Sequence, residues 1–239
     1  MRDFRIYSLN ILKLFIMSEQ YVKITSIEKS THDTLRISCE KPANLKFKPG
    51  QATNVAIDTE GWREEARPFT FTSLPDQDYI EFIIKTYPSH EGVTNKLLDL
   101  KAGDRLILSD VYGSITYKGE GVFIAGGSGI TPFISILRNL HKKGKTGNNK
   151  LIFANKTKRD IILKDELENM LGDNFVNILS DEKSSYHSHG FITKDFLKQN
   201  IEDYSGFFYI CGPPPMMEAV EEHLHSMDVE KNSIIKESF

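Results

Sequence analysis

The stretch Gly126-Gly127-Ser128-Gly129-Ile130-Thr131-Pro132 decides how the second half of this 239-residue chain folds. It follows a short apolar run, Val122–Ala125, and opens a segment with helical apolar spacing, Thr131–Lys142. Glycines at a strand-to-helix turn allow a tight bend and let a ligand approach the backbone closely. The helix start also offers free N–H groups and a positive dipole end, which favour a phosphate. The stretch therefore predicts either a phosphate-binding turn or a glycine-rich turn without a ligand.

Strands and helices alternate through the rest of this half. We expect strands at Val122–Ala125, Leu151–Ala154, Phe175–Leu179 and Phe207–Cys211. We expect helices at Thr131–Lys142, Lys164–Leu171, Lys194–Gln199 and Met216–Met227. Such alternation predicts a parallel sheet covered by helices on both faces.

The first half instead shows short strands separated by close turns, which predicts a small antiparallel barrel. The expected strands are Tyr21–Lys29, Thr34–Cys39, Gln51–Ile57, Pro68–Thr72, Tyr79–Thr86 and Arg105–Leu108, with one helix at Thr94–Leu100. Glycines cluster near residues 112–121 and mark a boundary. The fold class is thus a two-domain protein, with an antiparallel β-barrel in residues 18–114 followed by an α/β parallel-sheet domain in residues 115–239.

The first 17 residues are expected to lie outside the fold. Two arginines precede a fairly apolar run, but Lys13 interrupts it and no small-residue cleavage site follows. The run is also shorter than the roughly 20 apolar residues of a spanning helix, so the sequence does not favour membrane association. We interpret it as an upstream extension with Met17 as the start, the alternative being a membrane-associating helix.

Charge and cysteine content exclude several classes of protein. A net charge of -3 gives no electrostatic reason to bind nucleic acid. The two cysteines, Cys39 and Cys211, are too few for a disulfide framework or for a cluster held by four thiolates. We therefore expect a cytoplasmic protein. The pairs His187/His189 and His223/His225 lack partners at metal-ligand spacing, so no metal site is predicted.

Two further motifs lie where a ligand could reach them. Arg67-Pro68-Phe69-Thr70 opens a barrel strand and combines a phosphate-binding fork, an aromatic ring and a hydroxyl. Cys211-Gly212-Pro213-Pro214-Pro215-Met216-Met217 follows a parallel strand, at the sheet edge where α/β proteins bind ligands. Taken singly, Phe69 is better explained as a core residue and Cys211 as a buried apolar filler.

Together these motifs, with Gly92-Val93-Thr94 and the terminal Glu237-Ser238-Phe239, resemble the ferredoxin–NADP reductase superfamily. The chain is most similar to its flavodoxin/ferredoxin reductase and flavohaemoprotein-reductase types, from about Tyr21 to Phe239. The resemblance implies an NAD(P)H-dependent, FAD-containing reductase. The first domain would bind FAD and the second NADH or NADPH.

The resemblance also implies a role for each motif residue toward FAD. Arg67, beside Pro68, would contact the flavin's phosphate group. Phe69 replaces the family's usual tyrosine against the flavin, and Thr70 replaces the serine or threonine that bonds flavin N5. Gly92, Val93 and Thr94 would hold the FAD phosphates with their backbone amides.

On the nucleotide side, the resemblance places Cys211 beside the nicotinamide ring. Phe239 would cover the flavin face and move when the nicotinamide stacks. Thr70, Cys211 and Phe239 are therefore the expected catalytic residues. The remaining nucleotide-binding residues would be Gly127, Thr131, Pro132, Gly212 and Met216.

The preferred nucleotide and the electron acceptor stay open. Ser180-Asp181-Glu182 stands where NADP-preferring relatives often carry Ser-Arg, and a carboxylate would repel a 2′-phosphate, which favours NADH. Lys156, Lys158 and Arg159 could instead meet a phosphate. The acceptor is expected to be a separate protein, with ferredoxin or flavodoxin as the first choice. The alternatives are the reductase component of an oxygenase system and a flavin-free regulatory module.

Overall fold

A computed structural model describes residues 19–237, so Phe239 and the first 18 residues lie outside the described part. The first half forms a six-stranded antiparallel sheet in the order β4-β3-β6-β1-β2-β5. Its strands are β1 Gln20–Thr31, β2 Thr34–Glu40, β3 Ala52–Ile57, β4 Arg67–Thr70, β5 Tyr79–Lys85 and β6 Arg105–Tyr112. An antiparallel bridge between Phe71 and Phe82 joins the chain after β4 to β5. The two edges of the sheet therefore meet, and the predicted barrel is confirmed.

Strand β6 is longer than the sequence pattern predicts. The apolar run ends at Leu108, but the strand continues to Tyr112 opposite β3. The register between β3 and β6 shifts between Thr53 and Asn54, because β6 carries one extra residue there, Asp110, which takes a left-handed φ of 46°. Bulges of this kind insert an unpaired residue that no alternation of apolar side chains reveals.

The second half forms a six-stranded, wholly parallel sheet in the order β10-β9-β8-β7-β11-β12. Its strands are β7 Gly121–Gly126, β8 Lys150–Asn155, β9 Phe175–Leu179, β10 Ser188–His189, β11 Phe207–Cys211 and β12 Ile234–Lys236. The helices are α1 Val93–Lys96 in the barrel half, then α2 Thr131–Lys142, α3 Lys164–Leu171, α4 Lys194–Asn200 and α5 Pro214–His225. The predicted α/β architecture is confirmed.

The parallel sheet is buried on both faces. One face packs residues such as Phe123, Phe153 and Tyr209 against α2 and α3. The other packs residues such as Ile124 and Phe208 against α4 and α5. A strand buried on both faces has a continuous run of apolar residues in its sequence, which is why these strands were predictable.

Two short edge strands carry too little pattern to predict. β10 has two residues and β12 has three, and each pairs with only one neighbour. Helix α5 starts at Pro214, two residues before the predicted start, because prolines fit the first positions of a helix, where an N–H has no partner. Among residues 19–237, every helix is too short or too polar to cross a membrane.

The barrel and the α/β half contact one another through helix α2. Arg138 donates to Glu81 Oε1 at 2.6 Å, to the carbonyl of Thr72 at 2.9 Å and to Glu166 at 2.5 Å. Glu81 is fully buried and also accepts from Arg36 at 2.6 Å. Burial raises the pKa of Glu81, but the charge of Arg138 and the hydrogen bonds lower it more, so the net shift is downward. A buried charged network thus sets α2 against the barrel.

Candidate functional site

A cleft of about 450 Å³ lies between the barrel and the carboxyl edge of the parallel sheet. The barrel supplies the end of β4, the end of β5 and helix α1. The α/β half supplies the turn before α2 and the turn after β11. The lining residues that the sequence analysis named are Pro68, Phe69, Thr70, Thr94, Thr131, Cys211 and Gly212. Residues up to 145 positions apart therefore meet at one site, since the lining runs from residue 68 to residue 213.

The barrel wall of the cleft follows from the short strand β4. Exposure falls along it, from exposed Arg67 and Pro68 through half-buried Phe69 to Thr70, which is 6% exposed. The strand thus delivers one hydroxyl and one ring to the cleft. Arg67 does not line the cleft, and its guanidinium donates to the carbonyl of Ala66 and pairs with Glu65 at 3.3 Å.

The opposite wall depends on glycines at positions where no side chain fits. A Cβ on Gly129 would lie 2.2 Å from the carbonyl oxygen of Cys211. A Cβ on Gly212 would lie 2.7 Å from Met216 Cε and 3.0 Å from the backbone nitrogen of Gly126. The turn after β7 and the turn after β11 are therefore in direct backbone contact. Gly127 differs, because its φ is +52° and the space around its Cβ position is open.

Cys211 ends β11 at the base of the cleft. Only 1% of its surface is exposed, and burial raises the pKa of its thiol to about 12, with the charge of Glu237 adding to the shift. The thiol is therefore neutral at physiological pH and unsuited to act as a thiolate nucleophile. Glu237 Oε1 accepts from the backbone N–H of Ser114 at 2.9 Å, while its buried Oε2 has no partner among the described residues.

Besides Arg67 and Gly127, four of the residues named from sequence do not line the cleft. Val93 is buried in the barrel core, and Pro132 is buried at the start of α2. Met216 packs beside Gly126 and against the α4–α5 side of the sheet. Gly92 has open space at its Cβ position and directly precedes α1, whose first backbone N–H groups have no partner within the helix.

The cleft also contains residues that were not assigned to the site from sequence, three of them within the quoted motifs. These are Ile83, Ile84, Lys85, Tyr87, Ser128, Gly129 and Pro213. Tyr87 is 41% exposed and stacks on His90 with ring centroids 5.7 Å apart. Lys85 pairs with Asp33 at 2.8 Å. The available signal for Lys85 and Tyr87 was position alone, because Lys85 ends β5 and Tyr87 follows it, and β5 lies next to the motif Arg67–Thr70 across the barrel seam.

At the rim of the parallel sheet, two loops named for nucleotide preference are bonded together. The backbone N–H of Asp181 donates to the carbonyl of Lys156 at 2.9 Å. Glu182 accepts from the backbone N–H of Lys158 at 3.0 Å and pairs with its ammonium at 3.4 Å. The hydrogen bond from that backbone N–H holds the pKa of Glu182 below its ordinary value. The carboxylate thus neutralises one of the three basic residues nearby.

The residues present fit a flat cofactor ring and a nucleotide. The cleft offers aromatic side chains at Phe69 and Tyr87, hydroxyls at Thr70 and Thr131, and a wall of two closely packed turns where Gly129 has no room for a Cβ. Flat rings pack well against aromatic faces, and glycine turns at helix starts suit phosphates. Seven of the fourteen expected site residues line the cleft, six do not, and Phe239 lies outside the described residues.

Comparison with known proteins gives two domain families and many relatives. An FAD-binding domain family matches residues 19–108, and an oxidoreductase NAD-binding domain family matches residues 123–222. The reductase component of propane 2-monooxygenase from Rhodococcus jostii (strain RHA1) is 32% identical over 91% of this chain and 62% of its own length. NADH-cytochrome b5 reductase 1 from Aspergillus terreus (strain NIH 2624 / FGSC A1156) is 30% identical over 82% of this chain and 73% of its own length.

Solved structures show the same fold. A ferredoxin NADP+ reductase from Neisseria gonorrhoeae, with bound FAD and NADP, superposes with a TM-score of 0.77 at 21% identity. The alignment covers 92% of this chain and 98% of that chain. The chain spans 62% to 66% of the length of the propane monooxygenase reductase components that it matches. On its two domain matches, its relatives and its fold, the chain belongs to the ferredoxin–NADP reductase superfamily.

Proposed function

We propose that this chain takes electrons from NADH through FAD and passes them to a separate protein acceptor. The observation that carries the proposal is the cleft, where Thr70 of the barrel and Cys211 of the parallel sheet line one cavity. We propose residues 18–114 as the FAD-binding domain and residues 115–239 as the nucleotide-binding domain. When bound, the flavin supplies hydride acceptance and the release of single electrons, which amino-acid side chains do not provide.

The barrel residues bind and orient FAD in this proposal. Thr70 offers a hydroxyl to the flavin ring, and Phe69 packs against it. Arg67, beside Pro68, turns from Glu65 to a phosphate, because a phosphate offers its guanidinium a bidentate, charge-assisted pair. Gly92, Val93 and Thr94 present backbone amides to the FAD phosphates.

The α/β residues hold the nicotinamide nucleotide. Thr131 offers a hydroxyl from the start of α2, where Gly127 and Pro132 shape the turn. Cys211 positions the nicotinamide as a neutral thiol, and Gly212 and Met216 fix the loop that carries it. Phe239, which lies outside the described residues, would cover the flavin face and move when the nicotinamide stacks.

Stopped-flow reduction of the FAD-loaded protein with NADH and NADPH in parallel tests this function. We expect NADH to bleach the absorption band of the oxidised flavin rapidly, and NADPH to bleach it more slowly. A purified protein that holds no flavin, even after FAD is added, would reject the proposal in favour of a flavin-free regulatory module.

Substitution of Cys211 tests its positioning role. In Cys211→Ala we expect flavin reduction to slow by about tenfold while the Kd for NADH changes less, because orientation affects the reaction more than binding. The measurement is the limiting rate and the half-saturation point in single-turnover reduction. Cys39→Ala is the matched control, because Cys39 is also fully buried, with a pKa raised by burial to about 12, but lies in the barrel core. An unchanged limiting rate in Cys211→Ala would remove the role.

The bonded rim loops support NADH as the preferred nucleotide. In Glu182→Gln we expect the affinity for NADPH relative to NADH to rise by about tenfold, since the ammonium of Lys158 is released and a repelling carboxylate is lost. Titration calorimetry with both nucleotides measures the ratio. Asp173→Asn, in the exposed turn after α3, is the control for a general loss of negative charge. A ratio that moves equally in both variants would contradict the assignment.

For the acceptor we propose a ferredoxin or flavodoxin, with an oxygenase component as the second candidate. The second candidate draws on the relatives named for propane 2-monooxygenase. A reconstitution panel of ferredoxin, flavodoxin, cytochrome b5 and an oxygenase, each supplied with NADH, distinguishes them by the rate of acceptor reduction. Rapid turnover with cytochrome b5 alone would replace both proposals. A cytoplasmic location stays a prediction.

A further inference from the structure

A cluster of four charged or titratable residues joins the two halves of the protein beside the cleft. His32 and Asp33 lie in the turn between β1 and β2, Lys85 ends β5, and Asp160 lies in the turn after β8. Lys85 Nζ is 2.8 Å from Asp33 Oδ2 and 3.9 Å from Asp160 Oδ1. His32 Nε2 is 3.8 Å from Asp33 Oδ2 and 3.7 Å from Asp160 Oδ1. None of these contacts is used by the function proposed above.

The side chains of this interdomain cluster are partly shielded from water. Asp160 is 10% exposed and Asp33 is 22% exposed, so their attraction to Lys85 is screened less than in an ordinary surface pair. The imidazole of His32 and the carboxylates of Asp33 and Asp160 also lie close enough to one another to suggest a metal site. However, the ammonium of Lys85 already occupies the position between the two carboxylates. The cation of this cluster is therefore the ammonium of Lys85 and not a metal ion.

Each end of the cluster is anchored in its own half. Asp33 accepts from Thr31 and Thr34, and its carbonyl accepts from the backbone and hydroxyl of Thr86. Asp160 Oδ2 accepts from the backbone N–H of Thr157 at 2.8 Å and from its hydroxyl at 2.7 Å. The same carboxylate thus caps the Thr157–Asp160 turn on one side and faces the barrel on the other.

The cluster matters because the Thr157–Asp160 turn lies beside the loop named for nucleotide preference. The turn follows β8 at the carboxyl edge of the parallel sheet, where Lys156 and Lys158 contact the loop Asp181–Glu182. His32 Nδ1 also lies 3.4 Å from the carbonyl of Arg159. The barrel therefore contacts both the Asp160 side chain and the backbone of this turn. We call residues 156–160 together with the loop Asp181–Glu182 the nucleotide rim. Short, irregular turns of this kind are held by their tertiary contacts and open locally when those contacts are lost.

We propose that His32 and Asp33 are positioning residues that hold the Thr157–Asp160 turn against the barrel and thereby fix the nucleotide rim. Asp33 acts through Lys85, and His32 acts directly on Asp160 and the carbonyl of Arg159. That the rim binds a nucleotide rests on the proposed function. The contact that His32 and Asp33 make between the two halves does not depend on it.

Hydrogen exchange of the FAD-loaded protein without nucleotide tests the link. In His32→Ala and Asp33→Asn we expect exchange at the amides of Thr157 and Asp160 to accelerate by about tenfold, since local opening replaces a closed turn. His32 is 41% exposed, so His32→Ala keeps the test available even if Asp33→Asn folds poorly. Asp33→Glu, which keeps the carboxylate, should restore slow exchange.

The matched control is Asp76→Asn, which removes another ion pair between the barrel and the α/β half. Asp76 pairs with Lys142 of α2 at 2.6 Å, and both side chains are exposed. Exchange at the Thr157–Asp160 turn should stay slow in this control. Equal acceleration in the control, or unchanged exchange in both link variants, would overturn the proposal.

A second readout separates the link from the function it serves. Titration calorimetry with NADH should show binding weakened by about fivefold in His32→Ala, with FAD retained, because a mobile rim must be ordered on binding. If NADH fails to bind even the unaltered protein while exchange still accelerates, the proposed function fails and the link stands. If NADH binds all variants equally and exchange is unchanged, the link fails and the function stands.

Discussion

Gly129→Ala should abolish rapid flavin reduction by NADH, with a loss of about a hundredfold or more, because displaced binding groups can cost that much in rate. The added Cβ would lie 2.2 Å from the carbonyl oxygen of Cys211, 2.5 Å from its carbonyl carbon and 2.6 Å from the nitrogen of Gly212. All three are backbone atoms, so no side chain can rotate away. The two turns must move apart, and with them Cys211 and Thr131 at the cleft.

Single-turnover reduction and FAD retention measure this effect together. Gly144→Asn is the matched control, because Gly144 lies in the turn after α2, outside the cleft lining, with open space at its Cβ position. Its φ of +62° is a left-handed conformation that asparagine tolerates better than other residues. We expect this control to reduce its flavin at close to the normal rate. Near-normal reduction in Gly129→Ala would show that the contact between the two turns is not needed.

Arg138→Met should destabilise the protein by about 3 kcal/mol, the scale for breaking a buried ion pair from one side. Glu81 is fully buried and Arg138 is 13% exposed, so loss of the guanidinium leaves a buried carboxylate with only Arg36 and Thr72 as partners. The carbonyl of Thr72 also loses its donor. Helix α2 is then held less firmly against the barrel. The measurement is the free energy of unfolding from urea denaturation.

Lys142→Met is the matched control on the same helix. Its pair with Asp76 is exposed on both sides, and such pairs contribute about 1 kcal/mol or less. The double variant Arg138→Met/Glu81→Met should recover part of the loss, because it removes the uncompensated carboxylate. Equal unfolding midpoints for Arg138→Met and Lys142→Met would show that the buried network does not stabilise the fold.

The regular elements were predictable because their patterns are local. Helices Thr131–Lys142 and Lys164–Leu171 and strands Phe175–Leu179 and Phe207–Cys211 have the bounds that their apolar spacing predicts. Strand β6 was predicted too short, since a bulge at Asp110 breaks the alternation. The edge strands β10 and β12 were missed because two or three residues carry no period.

The cleft was predictable only through its motifs. Seven of the residues named from sequence line it, because the glycines and prolines in their motifs mark turns that bend sharply or approach a ligand. Lys85 and Tyr87 were missed, because nothing local distinguishes them from other polar residues at or just beyond the end of a strand. Their place in the cleft follows from closure of the barrel, which pairs Phe71 with Phe82.

The sequence by itself determined the two-domain order, the element types and the motif residues, since each depends on spacing within a few residues. Only the tertiary structure decided which residues meet across the interface. Arg138 reaches Glu81 across 57 positions, and His32 approaches the carbonyl of Arg159 across 127. Such pairs cannot be predicted from neighbouring residues, because the local sequence does not indicate whether a charged side chain is solvated or paired with a distant residue. Their chemistry appears only when the chain brings them together.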